Sequence, residues 1–168
     1  MNDVARKAIT QSETQKPETR KPETRKIVVD EIFPHAPETI WKTLTDDTLM
    51  GRWIMEPKGF APVVGNRFTY QTTPAGAWDG TIHCEVLRVV PNELFSYAWK
   101  GGDAGNVGYG APLDTVVTFT LTKVAGGTRL HLVHEGFVLP RNDSAYEKMS
   151  NGWQKVIHNV GTLAGEMD

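Results

Sequence analysis

A chain of 168 residues with 39% hydrophobic and 23% charged residues is long enough for one domain with its own core, without metal or disulfide staples. Eighteen Lys/Arg against twenty Asp/Glu leave a net charge of −2, and neither a nucleic acid nor a membrane is an expected partner. The single Cys84 excludes an internal disulfide, no apolar run approaches the roughly 18 residues of a membrane span, and no signal-like segment opens the chain, so a cytoplasmic location is expected.

The first 26 residues form a distinct region. They carry the tandem pentapeptide Lys16-Pro17-Glu18-Thr19-Arg20, Lys21-Pro22-Glu23-Thr24-Arg25 and no aromatic side chain. Seven Lys/Arg against four Asp/Glu give this stretch a net +3, while residues 27–168 carry −5. Too little apolar surface is present to offset ordering entropy, so residues 1–26 are read as a disordered low-complexity tail and residues 27–168 as the folded domain. An arm for an acidic partner would need a denser Lys/Arg run.

From Ile27 the patterning is regular. Ile27–Phe33 reads as a strand with Ile27, Val29, Glu31 and Phe33 on one face. Pro37 opens a short helix through Leu44, and Asp46 or Asp47 caps a second through Trp53. Strands follow near 67–73, 81–90, 93–100, 114–124 and 128–135, separated by Pro74-Ala75-Gly76, Pro91-Asn92, the Gly101–Pro112 loop and the Ala125-Gly126-Gly127 turn. Short connections imply antiparallel neighbours. A long amphipathic helix opening around Gly152-Trp153 closes the chain, with Tyr146, Met149, Trp153, Val156, Ile157, Val160 and Leu163 at spacings of three and four. On the last strand, Thr128, Leu130, Leu132 and His134 share a face, which places one histidine among apolar neighbours.

Metal and phosphate chemistry find no support. His131 and His134 face opposite sides of a strand, as do His83 and Cys84, and the glycines of the 101–112 loop lack the strand, helix and lysine of a phosphate-binding loop. No cofactor is expected. At twelve residues that loop is long for a strand connection and reads as a lid or rim.

Several local sequences fall in order on this plan: Ile40-Trp41-Lys42-Thr43-Leu44-Thr45-Asp46, Arg52-Trp53, Pro62-Val63-Val64-Gly65-Asn66-Arg67-Phe68, Asp79-Gly80, Val89 through Trp99, Gly127-Thr128-Arg129-Leu130 with His134-Glu135-Gly136-Phe137, and Gly152-Trp153. In this the chain resembles the activator of heat-shock-protein-90 ATPase homologue family of the START-like (SRPBCC) superfamily, over roughly residues 27–166. Asn66 departs from the family's frequent second glycine and bears on the turn more than on a pocket.

The resemblance implies an α+β helix-grip fold, a curved antiparallel sheet wrapped around the C-terminal helix with a cavity between them. Projected onto this chain, it gives a ligand wall of Phe68, Tyr70, Tyr97, Trp99, Phe119, His134 and Trp153, with Trp53 at the mouth. The competing reading is that these side chains fill the core. It also makes the first and last strands neighbours, so Glu31 and His134 become candidates for a buried acid–base pair if the registers agree; a one-residue slip would turn Glu31 to solvent. Otherwise His134 is a structural histidine.

Three functions follow as expectations. The first is binding of a small apolar or aromatic ligand by a monomer or homodimer. The second, implied by the family, is a co-chaperone-like regulator of a chaperone ATPase with a part in stress response, although the eukaryotic activators add a separate N-terminal domain. The third is a cyclase, dehydratase or hydrolase using Glu31 and His134 for proton transfer.

Overall fold

The computed structural model describes residues 21–167. Strand β1 (Glu23–Phe33) is followed by helices α1 (Pro37–Thr45) and α2 (Asp47–Trp53), strands β2 (Arg67–Gln71), β3 (Thr81–Val90), β4 (Leu94–Gly101), β5 (Leu113–Val124) and β6 (Gly127–Leu139), and helix α3 (Asp143–Met167). The six strands make one antiparallel sheet in the order β1-β6-β5-β4-β3-β2. This is the α+β helix-grip arrangement, with α3 lying on the sheet's inward face and packed on β1, β6 and both short helices.

Local chemistry explains the elements. Period-two burial puts Ile27, Val29 and Phe33 of β1 inside, and the same alternation runs through Val117, Phe119 and Leu121 of β5 and Leu130, Leu132 and His134 of β6. Pro37 stands at the start of α1, where its missing N–H costs nothing. Asp46 caps α2, its carboxylate accepting from the Leu49 amide at 3.1 Å. Asn66 closes the turn ahead of β2: its side-chain oxygen accepts from the Ala61 amide and its NH2 donates to the Gly59 carbonyl, both at 3.0 Å.

The first and last strands extend beyond the sequence reading. β1 starts at Glu23 rather than Ile27, and β6 runs to Leu139 rather than Glu135, because the two extensions pair with each other: Glu23 faces Leu139, Thr24 faces Val138 and Arg25 faces Phe137. Four residues of the expected tail therefore belong to the sheet, and residues 1–20 lie outside the described residues. A bulge follows at the Arg25/Lys26 step, opposite Gly136. Gly136 has φ +108°, and a Cβ there would stand 2.8 Å from the Asp114 carbonyl oxygen, so only glycine fits.

Helix α3 also starts earlier than its apolar pattern suggests. Asn142, 2% exposed, fixes the start: its Oδ1 accepts from the Val138 amide at 2.9 Å and its Nδ2 donates to the Pro112 carbonyl at 2.7 Å. That polar anchor, together with Tyr146 packed on Phe137, ties the first turn of α3 to β6 and to the loop before β5. Among the described residues no helix is long and apolar enough to cross a membrane.

Candidate functional site

The inward aromatics divide into two groups. Trp41, Phe60, Phe68, Phe95, Tyr97 and Phe119 pack ring against ring with centroids 5.0–6.4 Å apart, and Trp53 joins them edge-on to Phe119 at 5.8 Å. Trp53 is 2% exposed and its indole N–H donates to the Thr43 carbonyl at 2.8 Å. It does not stand at a mouth. The hydroxyls of Tyr70 and Tyr97 meet at 3.3 Å, and burial pushes both phenols well above their ordinary pKa, as it does the Cys84 thiol. None of the three is an available nucleophile at neutral pH.

Farther along the sheet the packing opens into a cavity of about 370 Å³. Helix α3 contributes one face, Ala145, Lys148, Met149, Gly152, Trp153 and Val156, at the three-and-four spacing of a single helical stripe. Ile54 and Met55, just past α2, close one side, with Ile82, Trp99 and Leu113 on the sheet side. Trp78 and Tyr109 come from the two loops joining β2 to β3 and β4 to β5. Of the eight expected ligand contacts, Trp99 and Trp153 line this cavity; Trp53, Phe68, Tyr70, Tyr97, Phe119 and His134 are buried beside or beyond it.

The expected lid is a stitched rim. Asn106 donates to the Ala75 carbonyl at 2.7 Å, the Tyr109 hydroxyl donates to the Thr73 carbonyl at 2.7 Å, and the Trp78 and Tyr109 rings meet at 5.7 Å. Trp78 in turn donates to the Thr81 carbonyl at 3.0 Å. Sequence periodicity missed both rim aromatics because loops have no inward phase. The available signal was compositional: Trp78 and Tyr109 are large rings set among Gly, Ala, Asn and Asp.

His134 is fully buried and bonded at both nitrogens. Its Nδ1 accepts from the Trp153 indole N–H at 2.9 Å, and its Nε2 lies 2.8 Å from the Thr115 hydroxyl oxygen. An indole nitrogen only donates, so Nδ1 must be the bare nitrogen and Nε2–H the donor. The Thr115 hydroxyl passes the sequence on, donating to the Trp99 carbonyl at 2.8 Å. One neutral imidazole thus joins α3, β6, β5 and β4. Burial drives its pKa down to about 3, and a second ring proton would point a donor at the Trp153 donor.

The Glu31–His134 pair does not form. Glu31 is on the expected inward face, but it lies opposite Leu130, whereas His134 lies opposite Ile27. Four residues of strand separate the two positions, about 13 Å at ~3.3 Å per residue. Glu31 instead meets His158 of α3, Oε2 to Nδ1 at 3.3 Å, near solvent. The face assignment holds and the register defeats the pairing. Neither residue lines the cavity.

Two polar features remain unmatched around the cavity. Trp99, 4% exposed, keeps a buried indole N–H with no hydrogen-bond partner among the described residues, a deficit of about 1–3 kcal/mol for such a group. Among the described residues, Lys148 is the one charged side chain on the lining. Among the described residues, no group of three His, Cys, Asp or Glu is arranged to hold a metal.

Comparison with known proteins agrees with this architecture. The crystal structure of protein MLL2253 from Mesorhizobium loti is 35% identical, with a TM-score of 0.72 over 86% of this chain and 99% of that one. Mll3558 from Rhizobium loti is 18% identical with a TM-score of 0.68 over 85% and 99% of the two chains. CalU16 from Micromonospora echinospora is 18% identical with a TM-score of 0.63 over 86% and 87%; these last two show the shared fold alone. No curated protein matches the chain. A sequence model of the family described as Activator of Hsp90 ATPase homolog 1-like protein matches residues 34–165. The chain belongs to that family, within the START-like superfamily.

Proposed function

We propose that this protein binds a small, mainly apolar molecule in the cavity between α3, the sheet and the stitched rim. The volume of about 370 Å³ falls in the range of small-ligand sites, roughly 300–1,000 Å³. The observation that carries the reading is Gly152. It sits inside α3, where glycine costs about 1 kcal/mol relative to alanine, and a Cβ there would meet nothing within 4 Å. Neither backbone conformation nor close packing calls for glycine at this position. What it preserves is open space over an apolar floor. The acid–base reading loses its support with the Glu31–His134 pair, and the chaperone reading rests on the family description alone.

The test uses the neutral fluorophore N-phenyl-1-naphthylamine. Its emission should rise saturably with the wild-type protein. Gly152→Phe places a ring in the open space and should weaken binding by at least roughly tenfold while the protein stays folded. No saturable binding, or binding indifferent to Gly152→Phe in a folded variant, rules the cavity out as the site.

A further inference from the structure

Resting on that binding reading, we infer that the cavity's ligand is an anionic amphiphile, an apolar alkyl or aryl body with one carboxylate that pairs with Lys148 at the mouth. Lys148 lies on the same stripe of α3 as Met149 and Gly152, one turn before Gly152, so its stem runs beside the space that Gly152 keeps open. Its ammonium is held 4.8 Å from the centre of the Tyr109 ring, on the rim loop. Among the described residues no carboxylate lies within ion-pair distance of it, while Arg52, Arg67, Lys100 and Arg129 each have one. Among the described residues, the cavity lining contains no acidic side chain. The mouth therefore holds one positioned, unneutralised cation over an otherwise apolar chamber.

A carboxylate is more strongly hydrated than an alcohol of the same chain length, so a cavity that recognised only the apolar body would favour the alcohol. A charge-assisted contact with Lys148 reverses that order. Decanoate and 1-decanol are the matched pair, each titrated against bound N-phenyl-1-naphthylamine. In the wild type, decanoate should displace the fluorophore at an apparent Kd at least about fivefold lower than decanol, and the preference should shrink as salt rises from about 0.05 to 0.5 M. Lys148→Met should reduce the preference to one or invert it, with each displacement referred to that variant's own fluorophore affinity, and Lys148→Arg should keep it. If the fluorophore binds and decanol matches or beats decanoate in the wild type, the inference fails and the cavity reading stands. A decanoate preference that survives Lys148→Met also overturns it. If the fluorophore does not bind and neither compound does, both readings fall together.

Discussion

The two halves of α3 carry glycines with opposite duties. Gly161, in the C-terminal half, lies where an added Cβ would run into the Phe33 ring, and it lets Ile157, Val160, Leu163 and Ala164 settle fully onto β1 and the short helices. At Gly152, in the N-terminal half, an added Cβ would meet nothing within 4 Å, and its neighbours Met149 and Val156 are only partly buried. One glycine brings the helix down onto the sheet; the other leaves a gap beneath it. A single regular helix can therefore close a core at one end and roof a chamber at the other, and small residues mean nothing until their surroundings are known.

Trp153 sits at the junction of these halves, and changing it should have the largest effect. Trp153→Ala removes a 3%-exposed indole packed on Phe119 and Trp99 and should cost about 3–5 kcal/mol in denaturant unfolding. Trp153→Phe keeps most of the packing but leaves His134 Nδ1 without its donor, an expected cost of about 1–3 kcal/mol. A loss below 1 kcal/mol for the alanine variant would contradict the packed junction.

The glycine contrast itself gives the next effect. Gly161→Ala should destabilise by about 1–3 kcal/mol through overpacking against Phe33. Gly152→Ala should stabilise by about 0.5–1 kcal/mol through helix propensity alone. Melting temperatures moving in the same direction would erase the distinction between the two halves.

A third effect is in pH. The folded pKa of His134 is depressed to about 3 against about 6.5 for an unfolded histidine, so the unfolded chain binds the extra proton first. The contribution is complete above about pH 6.5 and is lost progressively as pH falls toward 3, reaching roughly 2 kcal/mol by pH 5. His134→Asn should be less stable at pH 7 yet lose less stability than wild type between pH 6.5 and 5. Parallel curves for the two proteins would show that His134 does not titrate on unfolding.

Legibility in the sequence followed physical period. Strand and helix phases identified the inward face correctly for Phe68, Tyr70, Tyr97, Trp99, Phe119, His134 and Trp153, because alternation and helical spacing encode direction. They encode no separation. Whether Tyr97 or Trp99 meets a neighbour or a void depends on how far α3 stands from β4 at that point, a distance between segments far apart along the chain that neither period reports. Register was equally hidden: Glu31 had the right face, but the distance to His134 depended on which residue of β6 lay opposite. The β1 extension escaped notice for a related reason, since Glu23, Thr24 and Arg25 are exposed and are held by backbone pairing that side-chain patterning does not report; in β6 the bulge at Gly136 interrupts the alternation ahead of buried Phe137 and Leu139.

The bonds from Asn106 to Ala75 and from Tyr109 to Thr73 have a kinetic consequence. They join the β2–β3 and β4–β5 connections, so neither loop can swing aside without the other unless both bonds break. Tyr109 also receives the Lys148 ammonium from α3, so the helix is held to the same unit. Widening the mouth is then one concerted opening rather than a series of small ones. Such a gate slows arrival and departure by the same factor and leaves affinity untouched, so a weakly held molecule can still stay long.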